Sequence, residues 1–323
     1  MDTGDNSEPT NEDTMIPKFR YDVLLAESTT TKVYKAMMLQ NKTNYAIKVI
    51  NLETLKEQEL ETLFYQMKIC KGLSHPNLIP HKYSLVQDSS VIIASELQFI
   101  KLSDVIAKLF PEGIREFELV CTILRPIVSA LEYLHSKNLI HRNISSSSIF
   151  LRDNGEVTVN YYCHLEKDKK SGLKSSVYRN LCYLSPEILQ ENESGYDKRV
   201  DIWSFGILAH ELVTGRNPFC EDSCYESMKK ILNDAPPQFQ GTSKQSLKKN
   251  FLSIIQKCLS KDPALRPTAV EIRKYLERHR TNSKHGLLKD KIIDRIFHIS
   301  AKLQKQKSDI YLEGTDEFST LNP

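Results

Sequence analysis

The sequence predicts an α+β protein in which a small β-rich region carrying one helix precedes a larger, mainly helical region. Val33 to Met37 and Tyr45 to Ile50 alternate apolar and polar residues with period two, as half-buried strands do. Between Leu52 and Cys70 the period becomes helical, and Leu55, Leu60, Leu63, Phe64 and Met67 fall on one face. From Leu102 to Leu276 the helical pattern dominates, punctuated by Gly, Pro and Asn.

Residues 1–17 are acidic and polar and read as a disordered leader ending at Pro17, with neither the basic start nor the apolar centre of a secretory signal. The β-rich region occupies 18–99 and closes with a strand over Val91 to Leu97. The helical region occupies 100–280, with Pro126 expected to start or kink its long helix because proline lacks the amide donor that a helix interior needs. In the tail, 281–323, Leu288, Ile292, Ile296, Ile299 and Leu303 recur at helical steps, widened by Ile293 and Phe297. That stripe fits a helix packed on the domain surface, with a partner-docking helix as the sharper alternative. Glu313 to Pro323 reads as flexible.

The 323 residues carry 44 Lys+Arg against 41 Asp+Glu, a net charge of +3, with 40% hydrophobic content. That balance does not argue for nucleic acid or an anionic membrane surface, and it is too apolar for a chain disordered throughout. No run of 18 apolar residues is present, so no membrane-spanning helix is expected. The 7 cysteines are scattered without C-x₂-C spacing, which points away from a zinc site or a disulfide framework and toward a reducing compartment, the cytoplasm first and the nucleus second. Cys220 and Cys224 are spaced to share one helical turn, but two ligands make a poor metal site.

The most specific text lies in the second half. His141-Arg142-Asn143-Ile144-Ser145-Ser146-Ser147-Ser148 stands where a kinase catalytic loop, H-R-D-L-x-x-x-N, would stand. Leu184-Ser185-Pro186-Glu187 is similar to the A-P-E segment, and Asp201-Ile202-Trp203-Ser204-Phe205-Gly206 and Asp262-Pro263-Ala264-Leu265-Arg266-Pro267-Thr268 follow in order. In the first region Tyr45-Ala46-Ile47-Lys48 is similar to V-A-I-K. Over Tyr21 to Leu276 the chain therefore resembles a protein kinase domain, which implies two lobes: a five-stranded antiparallel sheet with one helix, then a helical lobe. Val49-Ile50-Asn51-Leu52-Glu53, His75-Pro76-Asn77-Leu78-Ile79-Pro80 and Gly195-Tyr196-Asp197 resemble the sterile-twenty group. Leu184 to Asn192, and Asp104-Val105-Ile106 with Ala130-Leu131-Glu132-Tyr133-Leu134-His135, look most like the STRAD (sterile-twenty-related adaptor) pseudokinases.

Phosphoryl transfer requires a glycine-rich cradle, a lysine held by a helix carboxylate, two magnesium ligands and a base. Ala26, Ser28 and Thr31 stand at the three glycine positions, where side chains crowd the approach of backbone amides to phosphates. Lys48 is at the lysine position, with a solvated strand lysine as the plain alternative, and its helix partner aligns with Gln66, a neutral amide. Asn143 replaces the base and has no proton affinity near neutral pH. Ser145 replaces a lysine, Ser148 a magnesium-binding asparagine, and Tyr161 the D-F-G carboxylate. Asp153 and Asp168 are poor substitutes, the first in a hairpin turn and the second in a lysine-rich segment. The chain thus reads as catalytically inactive, with a weakly active or unconventional kinase as the alternative.

What is kept points to the scaffold. The resemblance assigns Glu187 and Arg266 to a buried ion pair and Asp201 to bracing the His141-Arg142 loop. It also implies a nucleotide pocket among Val33, Ala46, Lys48 and Glu96, with ATP held without magnesium, and no structural metal. The implied partners are a serine/threonine kinase of the liver-kinase-B type and a helical-repeat scaffold of the MO-twenty-five type, with no nucleic acid and no membrane. The scaffold-docking Trp-Glu-Phe ending of that family is represented here only by Asp316-Glu317-Phe318. Lys167, Lys169, Lys170, Lys174 and Arg179 form a basic run beside Ser171, Ser175, Ser176 and Tyr178, which are open to modification.

Overall fold

The computed structural model describes residues 17–161, 165–167, 180–190, 195–220, 223–239, 248–278 and 289–298. The leader up to residue 16, Asp168, the rest of the basic run beyond Lys167, its serines and tyrosine, Leu288, Ile299, Leu303 and Asp316-Glu317-Phe318 lie outside these residues. The chain divides into two compact units, one of residues up to 62 with 80–97 and the other of residues 63–79 with 98 onward.

The first unit is a five-stranded antiparallel sheet in the order β1-β2-β3-β5-β4. Its strands are β1 (Phe19–Glu27), β2 (Thr31–Met38), β3 (Asn44–Asn51), β4 (His81–Gln87) and β5 (Ser90–Glu96). The period-two pattern sorts one face into an apolar cluster of Ala36, Met38, Tyr45, Ile47, Ile92 and Ala94, with Phe19 and Tyr83 edge-on to the Tyr45 ring. The helix α1 (Glu57–Cys70) begins in this unit and ends in the second.

The second unit is built on α3 (Phe117–Ser136) and α5 (Arg199–Thr214). Around them lie α2 (Leu102–Leu109), α4 (Pro186–Leu189), α6 (Cys224–Asn233), α7 (Lys249–Cys258) and α8 (Ala269–Arg278). α5 is apolar on nearly every side and buried accordingly, Trp203 and Phe205 included. Its end is set by Gly215 at φ 80, where a Cβ would lie 2.0 Å from the Pro111 carbonyl oxygen, so only glycine fits.

Pro126 neither starts nor ends α3, which continues through it. The missing amide bond is tolerated because Ile123, Leu124, Ile127, Val128 and Leu131 all bury their side chains on this helix.

Short strands complete the unit. β6 (Ile100–Lys101), β8 (Ile149–Leu151) and β9 (Val157–Val159) form one sheet, and β7 (Leu139–Ile140) pairs with β10 (Glu166–Lys167) in another. Asp153 is exposed in the β8–β9 turn, as expected. The described part of the tail stripe, residues 289–298, belongs to this unit. A π-helical turn, Lys289–Ile293, continues as helix over 294–298 and buries Ile292, Ile293 and Ile296. Phe297 lies 4.6 Å from the Phe99 ring, Arg295 lies 5.9 Å from the Phe110 ring, and Lys291 pairs with Glu116.

Candidate functional site

The sheet unit supplies Val33, Ala46, Lys48 and Glu96. Register places Val33 opposite Lys48, and Lys48 opposite Ile93, so these three share one face. Ala46 is two residues from Lys48 and joins that face. Glu96 pairs with Tyr45, so its side chain belongs to the other face; it can contribute to the Lys48 group only through its backbone. His81, which sequence reasoning missed, lies close enough to Lys48 to feel its charge: burial first, and the lysine second, lower its pKa to about 4.

The β1–β2 turn, where glycines would be required, is closed by its own side chains. Ser28 donates to the Thr31 carbonyl from its amide at 2.8 Å and from its hydroxyl at 3.3 Å. Thr31 is buried. Among the described residues, none in this turn has positive φ. This is an ordinary hairpin end, without the left-handed dihedrals that glycine permits.

The second unit supplies the loop 141–148. Asp201, wholly buried on α5, accepts three hydrogen bonds: from the His141 amide at 2.8 Å, the Arg142 amide at 2.8 Å and His135 Nε2 at 2.9 Å. The Asp201 pKa stays below the usual carboxylate value, although burial opposes that, because these donors and the neighbouring histidines favour the charged form. This clamp holds Arg142 at φ 67, a conformation that a non-glycine residue keeps only when its surroundings enforce it. His141 is also wholly buried, with Nε2 3.1 Å from the Asn160 carbonyl and Nδ1 accepting from the Asn143 amide at 3.2 Å. Burial lowers its pKa to about 4 against the attraction of Asp201.

The polar groups of the loop are occupied by one another. Asn180 donates its side-chain amide to Asn143 Oδ1 at 2.5 Å and to Ser145 Oγ at 3.1 Å. Ser148 Oγ accepts from the Ser145 amide and donates to the Ser145 carbonyl, both at 3.0 Å. Ser146 Oγ meets Tyr183 OH and Glu211 Oε1 at 3.0 Å, and Tyr183 also donates to Glu211. Burial holds both the Tyr183 and the Glu211 pKa above their ordinary values. Tyr161 is 1% exposed, so its phenol is a core group. Gln66, on α1, is buried too.

Two further pairs order the following segment. Arg142 Nη1 is 2.7 Å from Glu166 Oε2, which also accepts from Tyr196 OH at 3.0 Å. Arg266 grips Glu187 with Nη1 at 2.6 Å and Nη2 at 2.8 Å, donates from Nε to the Ser260 carbonyl at 2.8 Å, and lies 5.2 Å from the Trp203 ring. Among the described residues, no group of three or more His, Cys, Asp or Glu side chains is arranged to hold a metal, and none of their helices is long and apolar enough to cross a membrane.

A family model for the protein kinase domain matches residues 20–276. The chain belongs to the protein kinase family. Relatives carry sterile-twenty-type kinase names. Serine/threonine-protein kinase fray2 of Dictyostelium discoideum is 32% identical over 73% of this chain and 23% of its own length. Germinal center kinase 3 of Caenorhabditis elegans is 27% identical over 80% of this chain and 46% of its own. Serine/threonine-protein kinase PAK mbt of Drosophila melanogaster is 30% identical over 71% of this chain and 35% of its own. The chain spans less than half the length of each of these relatives.

Proposed function

We propose that this kinase-family chain is a pseudokinase that works by binding, as a STRAD-like adaptor and allosteric activator of a serine/threonine kinase of the liver-kinase-B type, together with an MO-twenty-five-type scaffold. The observation that carries the reading is the group at the base position: an asparagine amide, Asn143, tied to Asn180. An amide takes up no proton near neutral pH, so the acceptor hydroxyl has no base here. Two losses support the same view. Ser148 spends its hydroxyl on the Ser145 backbone, and Tyr161 offers a buried phenol where a magnesium ion requires a carboxylate.

Activation by such a chain is a matter of differential affinity. Its surface binds the active conformation of the partner more tightly than the inactive one, and the gain in activity cannot exceed that difference. Lys48, Val33 and Ala46 support a nucleotide-binding face. The self-closed β1–β2 turn and the missing metal ligands argue that ATP, where it binds, is held by base and lysine contacts without magnesium.

The second reading is a weakly active or unconventional sterile-twenty-like serine/threonine kinase. The names of the relatives favour it more directly than they favour an adaptor. The two readings part in a phosphoryl-transfer assay of the full chain with radiolabelled ATP and a mixed protein substrate, in magnesium and in manganese. The adaptor reading expects no incorporation above buffer. Incorporation that Lys48→Met abolishes would make the chain an enzyme. Co-purification with the two partner types tests the adaptor role itself.

A further inference from the structure

β1 is an outer strand of the five-stranded sheet, with β2 as its neighbour in the sheet order. Its middle turns large apolar side chains to solvent: Tyr21 is 45% exposed, Val23 54%, Leu24 45% and Leu25 48%. Among the described residues, no other stretch exposes more than two adjoining side chains of this kind. Both faces are open because pairing with β2 shifts between Tyr21 and Val23 and again between Leu24 and Ala26, so strict alternation is lost. The Tyr21 ring stands edge-on to Tyr34 at 5.1 Å, which fixes it as an aromatic anchor. Outer strands are ordinarily guarded by charge; here Asp22 is the one charged residue from Tyr21 to Ala26. The sheet's other outer strand, β4, has Val86 as its one exposed large apolar side chain.

We propose that this band is a dimer interface occupied by β1 of a second copy of the chain, running antiparallel about a two-fold axis near Val23 and Leu24. Charge singles out that occupant. The strand is preceded by Lys18, carries Arg20 near its start and ends on acidic Glu27. An antiparallel copy sets Arg20 of each chain beside Glu27 of the other, twice over, while the apolar band meets itself. A parallel copy would lay like charge on like charge. Arg20 meets Asp22 at 3.2 Å, and its guanidinium has donors left for a second carboxylate. Glu27 meets Lys32 at 3.1 Å with both side chains 52% exposed, a pair held in solvent that rearranges at little cost.

The strand is 9 residues long, which puts the contact at the small end of specific interfaces and its dissociation constant on the order of 10 μM. Two copies brought together by a common partner would pair far more readily than free chains, because the second contact is then made at high local concentration.

The test is sedimentation velocity of the full chain from about 1 to 100 μM, a range chosen to bracket that constant. The expected result is a monomer at the low end and a dimer at the high end. Val23→Lys sets two like charges at the axis and should leave a monomer throughout, while Val86→Lys on β4 leaves the dimer unchanged. Arg20→Glu and Glu27→Arg should each weaken it about tenfold, through two contacts per dimer. An equimolar mixture of those two chains should recover it, because one contact then joins the unaltered Arg20 and Glu27 and the other joins the two reversed charges. That arm alters no apolar residue, so it holds even where Val23→Lys disturbs the fold. A monomer at every concentration, a dimer that a folded Val23→Lys chain retains or that Val86→Lys removes, a mixture that recovers nothing, or dimerisation that appears only once residues 1–16 are removed would each overturn the proposal.

Discussion

Asn180 and Asn143 meet side chain to side chain at 2.5 Å, and the same Asn180 amide reaches Ser145 Oγ. The base position is thus one corner of an amide and hydroxyl cluster that is satisfied without any substrate. Removing the donor should loosen the loop without creating chemistry. Asn180→Ala is expected to cost about 1–2 kcal/mol, read by urea unfolding, and to leave phosphoryl transfer at background.

Restoring carboxylates separates the two functional readings. Asn143→Asp alone should not yield transfer, because Ser148 and Tyr161 still supply no magnesium ligands. Tyr161→Asp places a charge where a fully buried ring stood and should destabilise the fold by about 3–5 kcal/mol. Activity that rises from nothing in the double variant, at a temperature where it remains folded, would show that these two positions account for the loss.

The Arg266–Glu187 pair should be far more costly to break than a surface ion pair, since the Arg266 side chain is 0% exposed and that of Glu187 11%. Glu187→Ala is expected to lose about 3–5 kcal/mol, because it strands a buried guanidinium. The urea midpoint is the measurement; a shift no larger than that of an exposed control pair such as Lys32–Glu27 would contradict it.

Acid should destabilise the protein earlier than its carboxylates alone would allow. His81, His141 and His210 are each held down to about 4 by burial, against an ordinary value of 6.5. The folded state keeps them neutral while the unfolded chain protonates them, so stability is complete above about pH 6.5 and falls as the pH drops toward 4, at roughly 1.4 kcal/mol per pH unit for each histidine. Melting temperatures across pH 8 to 4 check this, and His210→Phe should flatten part of the slope.

Much of this was legible in the sequence for a simple reason: period and motif order are local. The alternation in β2 and β3, the apolar wrap of α5, and the positions of Asp201, Glu187 and Arg266 all sit in short strings whose chemistry is set by neighbours in the chain. What was not legible depends on approach across the fold. Asn180 meets Asn143 from 37 positions away, and His81 reaches Lys48 only because β4 and β3 flank β5. That the Glu96 side chain faces away from Lys48 follows from strand register, which its neighbours in sequence do not show. Pro126 lies inside α3 rather than at its start, where the burial of Ile123, Leu124 and Ile127 offsets the missing backbone bond.

The Arg142–Glu166 contact makes a smaller, local prediction. Glu166→Gln removes the charge from a pair that anchors β10 beside β7. Amide exchange at Leu139 and Ile140 should quicken by roughly tenfold, as expected for the loss of about 1.4 kcal/mol of local stability.

The isoleucines of 289–298 decide where this protein can be cut. The family match ends at residue 276, yet Ile292, Ile293 and Ile296 are as hidden from water as the centre of α3. A chain shortened to the family boundary would lose these three buried isoleucines together with Phe297 and Arg295, which cover Phe99 and Phe110. At about 1.5–3 kcal/mol for each buried side chain, the trimmed protein would be sticky and poorly soluble. For this protein the useful minimal domain is longer than its family's boundary indicates, and residues 289–298 are part of the body they close.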